Sequence, residues 1–431
     1  MNKMPKLTLA LLINAALLST AYASEQSESK GFVEGEKTNI LFRNGWIYRD
    51  RSAGRHDLSS WGQTINAQYD SGFTQGTVGL GVGAVGSFAF KIGDNKHSGN
   101  QMIAHYNDGT PYDQWARGGA NVKARISNTT AIYGTQILDL PVMGSNESRL
   151  TPEYFTGTLV KSNEIDNLSL TYGHFTKDQY SDQVSTDGNR LKRADVWGAQ
   201  YKFNDALNAS YFGAQFKDAL QRHYLNVNYK YPVANDASLT LDFAGYHTKY
   251  EKEVYGDLSF PTGEANTEKK NNIWATSATY NQGAHTGMLA YQQSTGNVGY
   301  DYNLAGDGGG TMTLPNSHLS DFNGNGEKSV QALYSLDFNT LGVPGLTWTT
   351  AYVYGWDINV QNVTDNGKEH EIYNQFKYTV QNGWAKNASF KVRNSTYRTS
   401  DSYSAPNKDV SKGYLGNTNE WRLFIEYPLN F

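Results

Sequence analysis

From Trp421 to Phe431 every odd position is apolar or aromatic, and the intervening face is mostly polar, with Phe424 as the exception. A period of two with one apolar face is the signature of a strand held between an apolar medium and water. The same pattern recurs along the chain. Ile40, Phe42, Trp46 and Tyr48 alternate with Asn39, Leu41, Arg43 and Gly45, and Ala120, Val122, Ala124 and Ile126 alternate with Asn121, Lys123 and Arg125. Leu225, Val227, Tyr229 and Tyr231 face away from Arg222, Tyr224, Asn226, Asn228 and Lys230; Val330, Ala332, Tyr334, Leu336 and Phe338 alternate with Gln331, Ser335 and Asp337. After the first residues, no apolar run is long enough to cross a bilayer as a helix. A chain of this pattern that lives in a membrane must therefore close its strands into a barrel, which leaves no backbone edge unpaired.

The first residues read differently. Lys3 and Lys6 precede an apolar run from Leu7 to Leu18, and Ala21-Tyr22-Ala23 supplies the small residues of a cleavage site. Residues 1–23 are expected to be a secretory signal peptide, too short in its apolar part for a membrane helix and followed by no Cys for lipid attachment. Its removal takes away two lysines and no acid, so the remainder is slightly more acidic than the whole-chain net charge of −4. With no Cys anywhere, thiol nucleophiles, disulfide frameworks and cysteine zinc clusters are excluded. The 43 Gly and 30 Tyr favour many strands joined by Gly-containing turns. Basic residues are scattered, which gives a nucleic-acid partner no support.

Eighteen candidate strands follow, from 38–49 to 420–430, an even number as a single-chain bacterial barrel requires. Short spacers such as Asn128-Thr129 and Asp166-Asn167 alternate with long ones at 92–116, 139–153, 177–194, 251–271, 294–327 and 399–419. Short periplasmic turns on one rim and long extracellular loops on the other mark an outer-membrane barrel. The expected fold is thus all-β, a transmembrane antiparallel barrel, with residues 24–431 as one channel domain in the bacterial outer membrane. Its expected surroundings are outer-membrane lipid and lipopolysaccharide. The terminal strand ending on Phe431 resembles the signal that the outer-membrane assembly machinery recognises.

Particular stretches carry a closer resemblance. Glu34 to Arg51, Ser71 to Val82, Leu140-Pro141-Val142, Ser148-Arg149-Leu150 and Gln221 to Leu225 resemble the OprD family of outer-membrane channels. So do Asp321-Phe322, Gly326 to Ser329, Gly342 to Thr347 and Arg393 to Arg398, in the same order over essentially all of the chain after the leader. The resemblance implies an eighteen-stranded barrel for selective passive diffusion of small hydrophilic solutes, mostly carboxylate-bearing: amino acids, small peptides and organic acids. The family includes a branch similar to chitoporins, and Asp321 to Lys328 with Tyr352 to Asp357 lean toward it, so chito-oligosaccharides stay open as the alternative substrate.

Selection in such a channel is electrostatic. By strand parity Arg43, Lys123, Arg125, Arg222, Lys230, Lys377, Lys391, Arg393 and Arg422 lie opposite the apolar stripe and should face the lumen, where basic rows favour anions. The family resemblance implies a basic ladder for substrate carboxylates, carried over to Lys123, Arg125, Arg222, Lys391 and Arg393. Two loops are expected to narrow the pore. The first is 139–153, with Ser145, Glu147, Ser148 and Arg149, where the family's inward third loop falls; the second is 294–327, with Asp307 and Asp321 as an acidic wall.

Other motifs weigh little. Asp321-x-Asn323-x-Asn325-Gly326 begins like a calcium loop, but Ala332 stands where a bidentate Glu is needed. Gly79 to Gly83 lies within a strand, with no helix behind it to hold a phosphate. The nine His show no pair at metal spacing, and neither a metal nor a cofactor is expected. A barrel-based enzyme would need a nucleophile beside His174, His223, His247 or His285, and no such signature accompanies them. The chain reads as a channel without catalytic residues.

Overall fold

The alternating segments become eighteen antiparallel strands hydrogen-bonded edge to edge in one sheet. The structure is a computed structural model that describes residues 24–52, 55–93, 99–106, 108–184, 190–233, 237–258, 268–360, 363–404 and 416–431. The expected signal peptide lies outside the described residues. The first strand, Lys37–Arg51, pairs with Leu58–Asp70 on one side and with the last strand, Thr418–Asn430, on the other, so the sheet closes. Closure runs to the final residue, where the Thr38 amide donates to the Phe431 carbonyl at 3.1 Å and the reverse bond is 2.9 Å. On one rim the turns are tight: Asn167 and Gly283 take left-handed backbone (φ 64° and 54°), as two-residue hairpins require.

The apolar stripe points outward. In the last strand Trp421, Leu423 and Ile425 are 39–47% exposed, whereas Glu420, Arg422 and Phe424 are buried. Leu225, Val227, Tyr229 and Tyr231 are likewise exposed, whereas Arg222 and Tyr224, of opposite parity on the same strand, are buried. Exposed apolar and enclosed polar faces suit a wall with lipid outside and water within.

The interior is not empty at the long-loop end. Met102, Ile103, Ala104 and Leu150 pack on Ile47, Trp115 and Phe424 of the wall. Leu138, Leu140, Val142, Met143, Tyr300 and Leu314 form a second cluster against Phe155, Phe175, Phe212, Phe216 and Tyr246. A small hairpin, Asp139–Leu140 with Met143–Gly144, begins the inward fold of the first of these loops. The second loop then lies on it backbone to backbone. The Gly310 amide donates to the Gly144 carbonyl at 2.9 Å, and a Cβ at Gly308 (φ +88°) would lie 2.0 Å from that oxygen. Only glycine allows the two loops to approach so closely.

Candidate functional site: a cationic wall facing a constriction

Three adjacent strands carry the cations: Ser389–Thr399, Thr418–Asn430 and Lys37–Arg51. Their register sets Arg393 beside Arg422 and Lys391 beside Phe424; across the closing seam Glu426 faces Arg43 and Glu420 faces Arg49. Inward positions recur every second residue, so Arg43, Lys391, Arg393, Arg422 and Arg49 share one lumen face over roughly 20 Å of strand. Glu426 accepts from Arg43 Nε at 2.7 Å, and Glu420 accepts from Arg49 at 2.6 Å and Arg422 at 2.5 Å. Five cations against two carboxylates leave this wall with three net positive charges. Lys391 lies over the Phe424 ring at 5.1 Å and Arg393 over Tyr373 at 4.7 Å, contacts that hold a cation without neutralising it. Arg393 Nε is buried and bonded to no protein acceptor.

The facing side is made of loop. Glu371, on the strand Gly367–Thr379, accepts the amides of Leu319 (3.1 Å) and Ser320 (3.0 Å), and Glu369 accepts the Ser320 hydroxyl at 3.1 Å. Asp321 accepts the Tyr302 hydroxyl at 2.7 Å and the Ser317 hydroxyl. His318 stacks on Tyr373 at 4.4 Å and donates from Nε2 to Gln331 Oε1 at 2.5 Å. Burial, with Arg393 adding to it, pushes the imidazole down to about 4, so it is neutral at physiological pH. Burial also pushes the Asp321 carboxyl up.

Between the two sides lies a cavity of about 460 Å³, lined by Arg49, Arg149, Arg393 and Arg422 and by Asn146, Ser148, Tyr302 and Ser317 to Asp321. Arg149 reaches it from the first inward loop, donating from Nε to the Asn100 carbonyl at 2.9 Å and from its guanidinium to Ser148 Oγ at 2.6 Å. Burial, then Arg422 and Arg49 nearby, lowers it to about 9, which leaves it charged at neutral pH. Arg43 ties this loop to the wall by donating to the Glu147 carbonyl at 3.0 Å.

The residues singled out in the sequence fall into two groups. Arg393, Arg422, Ser148, Arg149 and Asp321 line the cavity, while Arg43 and Lys391 stand on the same wall outside its lining and Glu147 meets Arg43 through its carbonyl. Arg222 has inward parity but is wholly buried, paired with Asp307, which also accepts the Leu304 amide at 2.9 Å. This pair ties the second loop to the wall away from the open lumen. Ser145 is internal to its loop, accepting the Leu138 amide at 2.9 Å. Lys123 and Arg125 sit at the short-turn end, beside Asp70 and Gln26 respectively. Lys230 is exposed near the same end of its strand. Arg49 was missed, although it shares the parity of Arg43. Tyr302, His318 and the inward segment Asn100–Ala104 carry no periodic signal that would have found them.

Comparison with known proteins places this geometry in a family. The sequence profile of the outer membrane porin, OprD family, matches residues 30–431. Porin D of Pseudomonas aeruginosa is 38% identical, over 96% of this chain and 95% of that protein. The crystal structure of Acinetobacter baumannii OccAB1 is 57% identical with a TM-score of 0.90, covering 95% of this chain and all of that one. Pseudomonas aeruginosa OccK2, solved in complex with glucuronate, is 27% identical with a TM-score of 0.77, over 93% of this chain and all of that one. The family profile is that of outer-membrane porins, and the fold is shared with OccAB1 over nearly the whole chain. The chain belongs to the OprD family of outer membrane porins.

Proposed function

We propose that this porin passes small carboxylate-bearing solutes, such as amino acids, small peptides and organic acids, by selective diffusion with no bond made or broken. The observation that carries this reading is the cavity lined by three strand-borne arginines, by Arg149 of the first inward loop, and by hydroxyl, amide and Asp321 groups. An arginine fork matches a carboxylate in shape and charge. The opposing groups suit an ammonium or an amide on the same solute. Glucuronate bound to OccK2 supports the reading, since that ligand is a carboxylate. The cavity is open to water, so each contact is modest, and a solute bound loosely at several sites can leave as well as enter. We also take the terminal strand to be what the assembly machinery engages, and lipopolysaccharide to surround the long-loop end.

The test is liposome swelling with the purified barrel, comparing amino acids, organic acids, neutral sugars and chito-oligosaccharides, beside reversal potentials in planar bilayers under a salt gradient. Anion selectivity and faster uptake of carboxylates than of neutral solutes of equal size are expected. A cation-selective channel that passes chito-oligosaccharides and rejects small carboxylates would overturn the reading in favour of sugars.

A further inference from the structure

Residues 24–36 precede the first strand and run along the short-turn rim, and at Gln26 the chain enters the lumen. The Gln26 amide donates to the Ser127 carbonyl at 3.1 Å, and its side-chain nitrogen donates to the carbonyls of Thr74 (2.9 Å) and Gly76 (3.0 Å). A strip of wall without side chains makes the room. Gly79, Gly81 and Gly83 are successive inward positions of the strand Val78–Lys91, and a Cβ at Gly79 would lie 2.2 Å from Gln26 Oε1. The neighbouring turn is tied to the same segment: Ser29 Oγ donates to the Phe73 carbonyl at 2.6 Å, and the Gly72 amide to that of Phe32 at 2.8 Å.

The Phe73 ring lies against two cations, 4.5 Å from Lys123 Nζ and 4.2 Å from the Arg125 guanidinium. Their charges are held by different parts of the chain. Lys123 pairs with Asp70 and donates to the Ser71 carbonyl at 2.6 Å, so its partners belong to the wall and its turn. Arg125 is held by the N-terminal segment: Nε donates to Gln26 Oε1 at 3.0 Å, and Glu25 lies 3.7 Å from its terminal nitrogen. The Arg125 side chain is only 14% exposed, whereas Glu25 is half exposed.

We propose that Glu25 and Gln26 set the charge selectivity of the short-turn mouth by occupying Arg125. The inference rests on the channel's being an electrostatic filter, as argued above. A carboxylate crossing the lumen from the upper wall meets Arg125 as the next cation only if it displaces a carboxylate and an amide that the protein itself supplies. The segment is a built-in competitor for the solute's own chemistry. It makes the exit weaker than the constriction, which favours release.

The experiment uses the full chain in planar bilayers under a salt gradient, with heat-modifiable migration on unboiled gels as the check of folding. One unit charge about 5 Å from the solute path alters local ion concentration several-fold in water. Averaged over the mouth, Glu25→Gln with Gln26→Ala is expected to raise the anion-to-cation permeability ratio about twofold. Adding Arg125→Gln should abolish that gain. An unchanged ratio in the first variant overturns the proposal, and so does a gain that survives Arg125→Gln, since Glu25 would then act as an ordinary rim charge. Should Gln26→Ala prevent assembly, Glu25→Gln alone keeps the Gln26 hydrogen bonds and is expected to show a smaller gain, again lost with Arg125→Gln. The sign of selectivity in the unaltered channel tests the filter itself; the differences between variants test the segment.

Discussion

Arg393→Gln is expected to lower the flux of a small carboxylate about tenfold, with neutral-sugar flux nearly unchanged. Arg49 and Arg422 share Glu420, and Arg43 is paired with Glu426, so much of their field is already answered. Arg393 is held by the Tyr373 face instead, and its Nε has no acceptor in the protein. A hydrogen bond to a charged group contributes about 1.5–3 kcal/mol. In a wet lumen the lower end applies, and about 1.4 kcal/mol corresponds to a factor of ten. Arg393→Lys keeps the charge without the fork, so an intermediate loss is expected. Uptake by proteoliposomes, with carboxylate and neutral solute of equal size side by side, reads both effects. Equal losses for both solutes would mean that the substitution had narrowed the pore and left recognition untouched.

A second large effect is expected at a residue that no solute touches. Arg222 and Asp307 are both fully buried, and the arginine also donates to the Asp301 carbonyl at 2.5 Å and to Thr248 Oγ1 at 3.2 Å. Removing one partner of a buried pair costs about 3–5 kcal/mol, because the other charge is left without compensation. Strand pairing closes the barrel without this pair, whereas the pair joins the second loop to the wall. Arg222→Met should release the loop from the wall, and single-channel conductance should rise about twofold, since the narrowest section dominates resistance. The double variant with Asp307→Asn removes the stranded charge and should recover part of the original conductance. A quiet channel of unaltered conductance in Arg222→Met would show that the loop is held by its apolar contacts alone.

Arg222 and Arg393 also show where sequence reading stops. Both have inward parity, and the period of two placed both correctly on the lumen side of their strands. What separates them is where an inward loop comes to rest. That is decided by contacts such as Arg222 with Asp307, which lie far apart in the chain and leave no periodic trace. The strands were legible because a lipid-facing wall imposes the same rule on each of them. Their ends were less so: Gly367–Thr379 runs into the long-loop rim, where Glu369 and Glu371 hold the constriction and the alternate positions Lys368 and His370 no longer carry an apolar period. The hairpin at Asp139–Leu140 was invisible because two residues a side are too few to show a period. His318 and Tyr302 lie in coil, where function depends on which wall residue each one meets.

The two sides of the constriction are built from different material. The arginine row stands on adjacent strands locked by register, whereas the facing groups hang on loops attached to the wall at a few points. A solute drawn in from solution feels the strand-borne charges at long range, so they govern how often it arrives. The loop-borne groups meet it only at contact, so they govern how long it stays. Sequence change in the loops that leaves Arg149 in place can therefore alter residence time and substrate shape while the capture rate for anions is inherited unaltered with the barrel.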